Sequence, residues 1–323
     1  MHAGTSVICR SLSRRTQYLN LFPLTISGFS SVKSNMASSA KAKVLLTRSD
    51  YSPSAVNLLK QHFDVEAWDS EKHGTISKDT LIQLIRGKAG ILVTTSNLID
   101  QEVIASGAPS LQVVSTMSVG VDHVDLKTLK EFNVRLGYNF DVNVEATAEL
   151  TVGLLLATSR RIIEASAAVK SDRWTSNLGS FRWLCGQGLH DSTVGIIGYG
   201  KIGHSVAMKL RSFSPRRIFY TSRKEKPNGN AIGAVFTDLD TLLKSCDFVV
   251  LTLALTPETR GIISRSKIAL MKENAIFINT GRGVLLPHIG SDTAKSIDDA
   301  CLRAAENIVA VLEGTPMPAE YPL

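Results

Sequence analysis

Val194-Gly195-Ile196-Ile197, followed at once by Gly198-Tyr199-Gly200-Lys201-Ile202-Gly203, decides the fold of this 323-residue chain. A short apolar run, a Gly-x-Gly-x-x-Gly turn and then an amphipathic stretch (Ile202–Phe213) predict a strand that turns directly into a helix. Each glycine answers a separate steric demand. The first permits the tight turn, the second lets the backbone approach a pyrophosphate, and the third lets helix and strand pack closely. The anion would then sit at the helix N-terminus, where unpaired amides and the helix dipole favour negative charge. The whole stretch Gly198, Tyr199, Gly200, Lys201, Ile202, Gly203 is therefore a candidate dinucleotide cradle.

About 20 residues on, a dinucleotide fold that reads a ribose 2′-hydroxyl carries an Asp or Glu. Here the next apolar run ends Tyr220-Thr221-Ser222-Arg223-Lys224, and the first carboxylate is Glu225. Losing the acid removes repulsion toward a 2′-phosphate, and Arg223 and Lys224 can pair with one. Thr221, Ser222, Arg223 and Lys224 join the candidate cofactor set, and the expected cofactor is NADP(H).

Working outward, Thr193–Gly198, Ile218–Thr221, Phe248–Leu253 and Ala275–Asn279 read as strands, with a helix over Lys267–Lys272 between the last two. The N-terminal half has the same alternation. Strands are expected at 44–46, 65–68, 91–93 and 113–114, with amphipathic segments at Ala55–His62 and Lys78–Arg86. One long helix is expected from about Glu145 to Ala168, and another over Thr293–Leu312, stopped by Gly314 and Pro316. Alternating β and α elements predict parallel sheets covered by helices. The expected class is α/β. The boundaries are a leader over 1–42, a substrate domain over 43–142, the Rossmann domain over 143–290, and a terminal segment, 291–323, returning to the substrate domain.

The formal charge of +7 is concentrated at one end. Residues 1–43 hold Arg10, Arg14, Arg15, Lys33, Lys41 and Lys43 and no acid, which leaves +1 on the remainder. A nearly neutral body gives no basic groove for nucleic acid. The longest apolar run, Leu150–Ala157, is too short to span a bilayer, so neither nucleic acid nor membrane is an expected partner. A cationic, Ser-rich leader without acids has the composition of a mitochondrial transit peptide, or of a disordered tail. Met36 offers a later start, which would leave a cytoplasmic chain. Cys9, Cys185, Cys246 and Cys301 are too scattered for a metal cluster or a disulfide framework.

Two late segments carry chemistry. Phe277-Ile278-Asn279-Thr280-Gly281-Arg282-Gly283 sets an Arg just past a strand's C-terminal end, where open α/β sheets bind ligands. Leu286-Pro287-His288-Ile289-Gly290-Ser291 sets a His after another apolar run. A 2-keto acid needs a cation for its oxygens and a proton donor for the carbonyl that receives hydride.

On these residues the chain resembles the D-2-hydroxyacid dehydrogenases, most closely the glyoxylate/hydroxypyruvate reductase branch. The likeness runs from about Lys43 to Pro318 and includes the loop Ser115–His123 and Trp183-Leu184-Cys185-Gly186. It implies a flavodoxin-like substrate domain beside the Rossmann domain, and a small 2-keto or 2-hydroxy acid as substrate. It assigns the substrate carboxylate to the amides of Val119 and Gly120, carboxylate and carbonyl binding to Arg282, and proton donation to His288. It adds Thr280 and Gly290 to the cofactor set. The Trp matching Trp183 reaches a partner's active site in that branch, which implies a homodimer.

The chain departs from the family after Gly283. There the family inserts a helix, a Gly-Leu-Asp-Val strand and a Glu-Pro loop, whereas here Val284-Leu285-Leu286-Pro287 follows directly. Roughly 40–50 residues are lacking, more than one βα unit, and with them the acid that would orient His288. Parallel neighbours need a crossover of about a dozen residues, so the run before His288 is not expected to lie beside Ala275–Asn279, and the Rossmann sheet is expected to be incomplete. Two readings follow besides an impaired NADPH-dependent reductase. One is a catalytically inactive nucleotide-binding or dimerising variant; the other is a corepressor-like scaffold.

Overall fold

The structure, a computed structural model, describes residues 41–171, 173, 182–281, 290 and 292–323. The described chain builds two five-stranded sheets, parallel throughout.

The first sheet contains β1 (Lys43–Leu46), β2 (Asp64–Ala67), β3 (Gly90–Val93), β4 (Val113–Thr116) and β5 (Arg135–Gly137), in the order β2-β1-β3-β4-β5. This is the flavodoxin-like order. β3 and β4 are buried along their whole length, as strands covered on both faces must be. The helices α1 (Pro53–His62), α2 (Ser70–His73), α3 (Lys78–Leu84), α4 (Gln101–Gly107) and α5 (Leu126–Glu131) connect them. Asp69, Ser77, Asp100 and Asp125 cap four of these helices by accepting from an amide of the first turn.

The second sheet contains β6 (Thr193–Ile197), β7 (Arg217–Thr221), β8 (Val235–Phe236), β9 (Phe248–Leu251) and β10 (Ile276–Asn279), in the order β10-β9-β6-β7-β8. From the other edge it reads as the first five positions of a Rossmann sheet. Among the described residues no strand pairs with the outer side of β10. Its helices are α6 (Val144–Ser159), α7 (Ile162–Lys170), α8 (Lys201–Arg211), α9 (Pro227–Ala231), α10 (Leu239–Ser245) and α11 (Arg265–Ile268).

The last helix, α12 (Ala294–Leu312), packs against α1 and against β3, β4 and β5 of the first sheet. Its buried side is Ala300, Cys301, Ala304, Ala305 and Ile308. Asn307, fully buried, accepts from the Ala319 amide at 3.0 Å and so fastens the tail to this helix.

Three sequence expectations are corrected. The single helix expected over Glu145–Ala168 is two, broken at Arg160 and Arg161, the latter left-handed at φ 52°. The cause is tertiary: the Gln187 amide donates to the Ser159 carbonyl at 2.8 Å, taking an acceptor that a continuing helix would use. Gly186 permits that approach, since a Cβ there would lie 2.1 Å from the same oxygen. The Lys267–Lys272 helix shrinks to the one turn of α11, which Ser264 caps. The strand expected over Phe248–Leu253 ends at Leu251, two residues early. The short edge strands β5 and β8 were not expected at all. The run before His288 lies outside the described residues.

Candidate active site

The site is assembled by strand register. Ile197 pairs with Thr221 on one side and with Leu251 on the other, and Leu251 pairs with Asn279. Four C-terminal strand ends therefore stand in one row, and every loop leaving that row points the same way. β6 and β9 flank the point where strand order reverses, the place where open α/β sheets take their ligands.

At that point Gly198 adopts φ +96°, and a Cβ on it would sit 2.9 Å from the Leu253 side chain. Gly203 lies against Gly198, where a Cβ would come 2.2 Å from the Gly198 carbonyl oxygen. Gly200 is the opposite case. A Cβ there would meet nothing within 4 Å, so the protein's own packing does not require a glycine at that point. Gly200 is the N-cap of α8 and no side chain caps that helix, which leaves its first amides available to an anion.

Two side chains to which the sequence gave no role hold this edge. Thr252, just after β9, donates from Oγ1 to the Gly198 carbonyl at 2.6 Å and ties the glycine turn to the neighbouring strand. Asn279 accepts from the Gly281 amide through Oδ1 at 3.0 Å, while the Thr280 amide donates to Leu251 at 3.0 Å. Thr280 is thus fixed in the row beside the cradle. A hydroxyl or amide immediately past an apolar run was the available signal for both.

Tyr199 turns its ring inward. Its ring is buried, stacked on Tyr220 with centroids 4.1 Å apart, and its hydroxyl lies 3.3 Å from His204 Nδ1. Burial, then the neighbouring Tyr220, pushes its phenol up to about 12. Ile202 likewise packs toward the core, while Lys201 is exposed, its ammonium 4.1 Å from the Phe140 ring centroid. At the end of β7, Thr221 and Ser222 are half-buried and Arg223 and Lys224 are exposed. The cradle opens on one side into a cleft of about 740 Å³ along α8, where Glu145 faces Lys209 and Ser205.

On the first sheet, the loop after β4 is built to present backbone. Thr116 Oγ1 contacts both Ser118 Oγ (2.9 Å) and His123 Nε2 (3.2 Å), and Ser118 Oγ donates to the Gly120 carbonyl at 2.7 Å. Val121 is buried below, and Val119 is 42% exposed above. Among the described residues nothing takes the amides of Val119 and Gly120. Trp183 is half-buried in the turn closed by the Cys185 amide on the Arg182 carbonyl. Gly290 lies beside Thr147 of α6. Arg282 and His288 lie outside the described residues.

No group of three or more His, Cys, Asp or Glu that could hold a metal occurs among the described residues. No helix among them is long and apolar enough to cross a membrane.

Comparison with known proteins agrees with this architecture. Residues 152–296 match the D-isomer specific 2-hydroxyacid dehydrogenase, NAD binding domain. The human glyoxylate reductase/hydroxypyruvate reductase is 37% identical over 303 aligned positions, which take in 80% of this chain and 91% of that protein. A glyoxylate reductase of Thermococcus onnurineus is 38% identical over 246 positions, 75% of this chain and 72% of its own. Among solved structures, the TT0316 protein of Thermus thermophilus superposes with a TM-score of 0.78 at 31% identity, covering 87% of this chain and all of that one. With a Rossmann sheet that carries the nicotinamide-dinucleotide fingerprint, beside a flavodoxin-like sheet, the chain belongs to the D-isomer specific 2-hydroxyacid dehydrogenase family.

Proposed function

We propose that this chain is an NADPH-dependent reductase of glyoxylate or hydroxypyruvate whose turnover is impaired by an internal deficit after Gly283. The observation that carries the cofactor choice is the end of β7. There Thr221 stands in the row of strand ends and Ser222, Arg223 and Lys224 follow it, with no carboxylate before Glu225. The cradle suits a dinucleotide, because Gly200 leaves open space where a pyrophosphate would approach and α8 brings uncapped amides to it. When bound, the nicotinamide supplies hydride to the keto carbon. The amides of Val119 and Gly120 hold the substrate carboxylate, Arg282 binds carboxylate and carbonyl, and His288 keeps the proton for the carbonyl oxygen. Thr280 and Gly290 border the nicotinamide half.

The internal deficit is supported by the alignment with the human reductase. Eighty per cent of 323 residues is about 258, so about 45 of the 303 aligned positions face no residue of this chain. That matches the size of the stretch lacking after Gly283. Its loss removes the acid that would orient His288, and general acid–base catalysis is worth about 10²–10⁴-fold. The same deficit favours a second reading, an inactive NADP-binding and dimerising variant. A homodimer suits the apolar face that α7 exposes, with Ile162 at 50%, Ile163 at 74% and Val169 at 60%. Residues 1–42 act as a mitochondrial leader, and a chain begun at Met36 stays in the cytoplasm.

The test is steady-state turnover of glyoxylate with NADPH and with NADH, for this chain and for one with the family segment restored after Gly283. NADPH should be preferred, and restoration should raise kcat by at least about 100-fold. Equal rates in the two chains refute the impairment; a preference for NADH refutes the cofactor choice.

A further inference from the structure

The basic residues at the end of β7 could read a phosphate only if their backbone is held still, and the structure shows one side chain holding it. Tyr220 is fully buried in β7, one residue before Thr221. Its hydroxyl accepts from the Lys226 amide at 2.9 Å and donates to the Lys226 carbonyl at 3.3 Å. A single phenol thus satisfies both backbone groups of one residue. Gly229 makes room for it, since a Cβ there would lie 2.6 Å from Tyr220 Cε1 and 2.9 Å from its hydroxyl. The Gly229 amide closes the turn by donating to the same Lys226 carbonyl at 2.9 Å.

Residues 222–225 consequently form an arch fixed at both feet. One foot is Thr221, in register with Ile197; the other is Lys226 on the Tyr220 hydroxyl. Within the arch, Ser222 Oγ donates to the Lys224 carbonyl at 2.5 Å, and Arg223 and Lys224 are exposed at its crown. We infer that Tyr220 is a positioning residue for cofactor specificity. Its hydroxyl sets the height of the arch and thereby places Arg223 and Lys224 on a ribose 2′-phosphate. This rests on the NADPH reading above. The physical ground is that charge-assisted contacts to a phosphate are strong but demand placement to a few tenths of an ångström. A loose arch therefore penalises the phosphorylated cofactor and spares the other.

The experiment uses the full chain, its Y220F and R223A variants, and dissociation constants for NADPH and NADH from titration calorimetry. Phe keeps the ring that packs on Tyr199 and removes only the hydroxyl. Y220F should weaken NADPH about tenfold, the effect of two modest hydrogen bonds, and change NADH less than about twofold. R223A should abolish the preference. A Y220F variant that keeps the wild-type NADPH/NADH ratio while R223A loses it overturns the inference and leaves the cofactor reading intact. A wild-type preference for NADH overturns both. Independently of any variant, the Lys226 amide should exchange with solvent deuterium more slowly than those of Arg223 and Lys224. Equal exchange rates would also overturn it.

Discussion

Replacing Gly203 by Ala separates what the third fingerprint glycine does from what the second does. The added Cβ would stand 2.2 Å from the Gly198 carbonyl oxygen, 3.0 Å from Thr252 Oγ1 and 3.2 Å from the Gly198 carbonyl carbon. A relaxed carbon–oxygen contact is about 3.3 Å, so the turn and α8 must part by about 1 Å. The obstacle is backbone, which has no rotamer to escape into. Overpacking of this kind costs about 1–3 kcal/mol. If the Gly198 carbonyl rotates instead, it loses its 2.6 Å bond from Thr252, a further ~1 kcal/mol. Shifting the α8 amides by about 1 Å takes them out of hydrogen-bonding range of an anion, so nucleotide affinity should fall at least about tenfold. Gly200→Ala is the control. Its Cβ meets no protein atom within 4 Å and its φ of −86° suits Ala. Stability should then stay within about 0.5 kcal/mol of wild type while nucleotide affinity falls, because the methyl occupies the approach to the amides. Urea denaturation and NADPH titration on the three chains decide it. A Gly203→Ala chain with wild-type stability and affinity refutes the close-packing argument, and a Gly200→Ala chain that binds normally refutes the placement of the anion.

Two further outcomes are expected. Burial by itself would raise the Asp247 carboxyl, but Lys272 Nζ at 2.7 Å and the Thr193 amide at 2.8 Å hold it below its ordinary value of 3.8. A depressed folded-state pKa stabilises above the unfolded value and loses that contribution as pH falls through the folded one. Asp247→Asn should therefore cost about 1 kcal/mol at pH 7 and progressively less as pH falls below the ordinary carboxylate value of 3.8, measured by denaturation across that range; a cost that does not change with pH contradicts the assignment. The second outcome concerns the leader. A reporter fused to residues 1–42 should enter mitochondria and one lacking 1–35 should not, with a diffuse signal from both rejecting the transit reading.

The dinucleotide-binding half was legible because its chemistry is local. Gly198, Gly200 and Gly203 fall within six residues, directly after an apolar strand, and the steric demands of turn, anion and helix packing act on those same residues. That the end of β7 carries Arg223 and Lys224 with no carboxylate before Glu225 is likewise visible without coordinates. The α/β class followed from the alternation of apolar runs with amphipathic segments, each buried by the layer it meets.

What the sequence could not give depends on atoms distant along the chain. The stretch from about Glu145 to Ala168 reads as one helix in sequence, and it is broken at Arg161 where Gln187, distant along the chain, takes the Ser159 carbonyl. Tyr199 sits inside the fingerprint, yet its ring turns into the core, where it lies on Tyr220 and meets His204 edge-on. Thr252 and Tyr220 look like ordinary strand residues until strand order and register bring one onto Gly198 and the other onto Lys226. Propensity and periodicity are properties of neighbours in sequence. Register, helix interruption and the direction of a buried hydroxyl are settled by which backbone groups the folded chain leaves to be paired, and that is decided only in the tertiary structure.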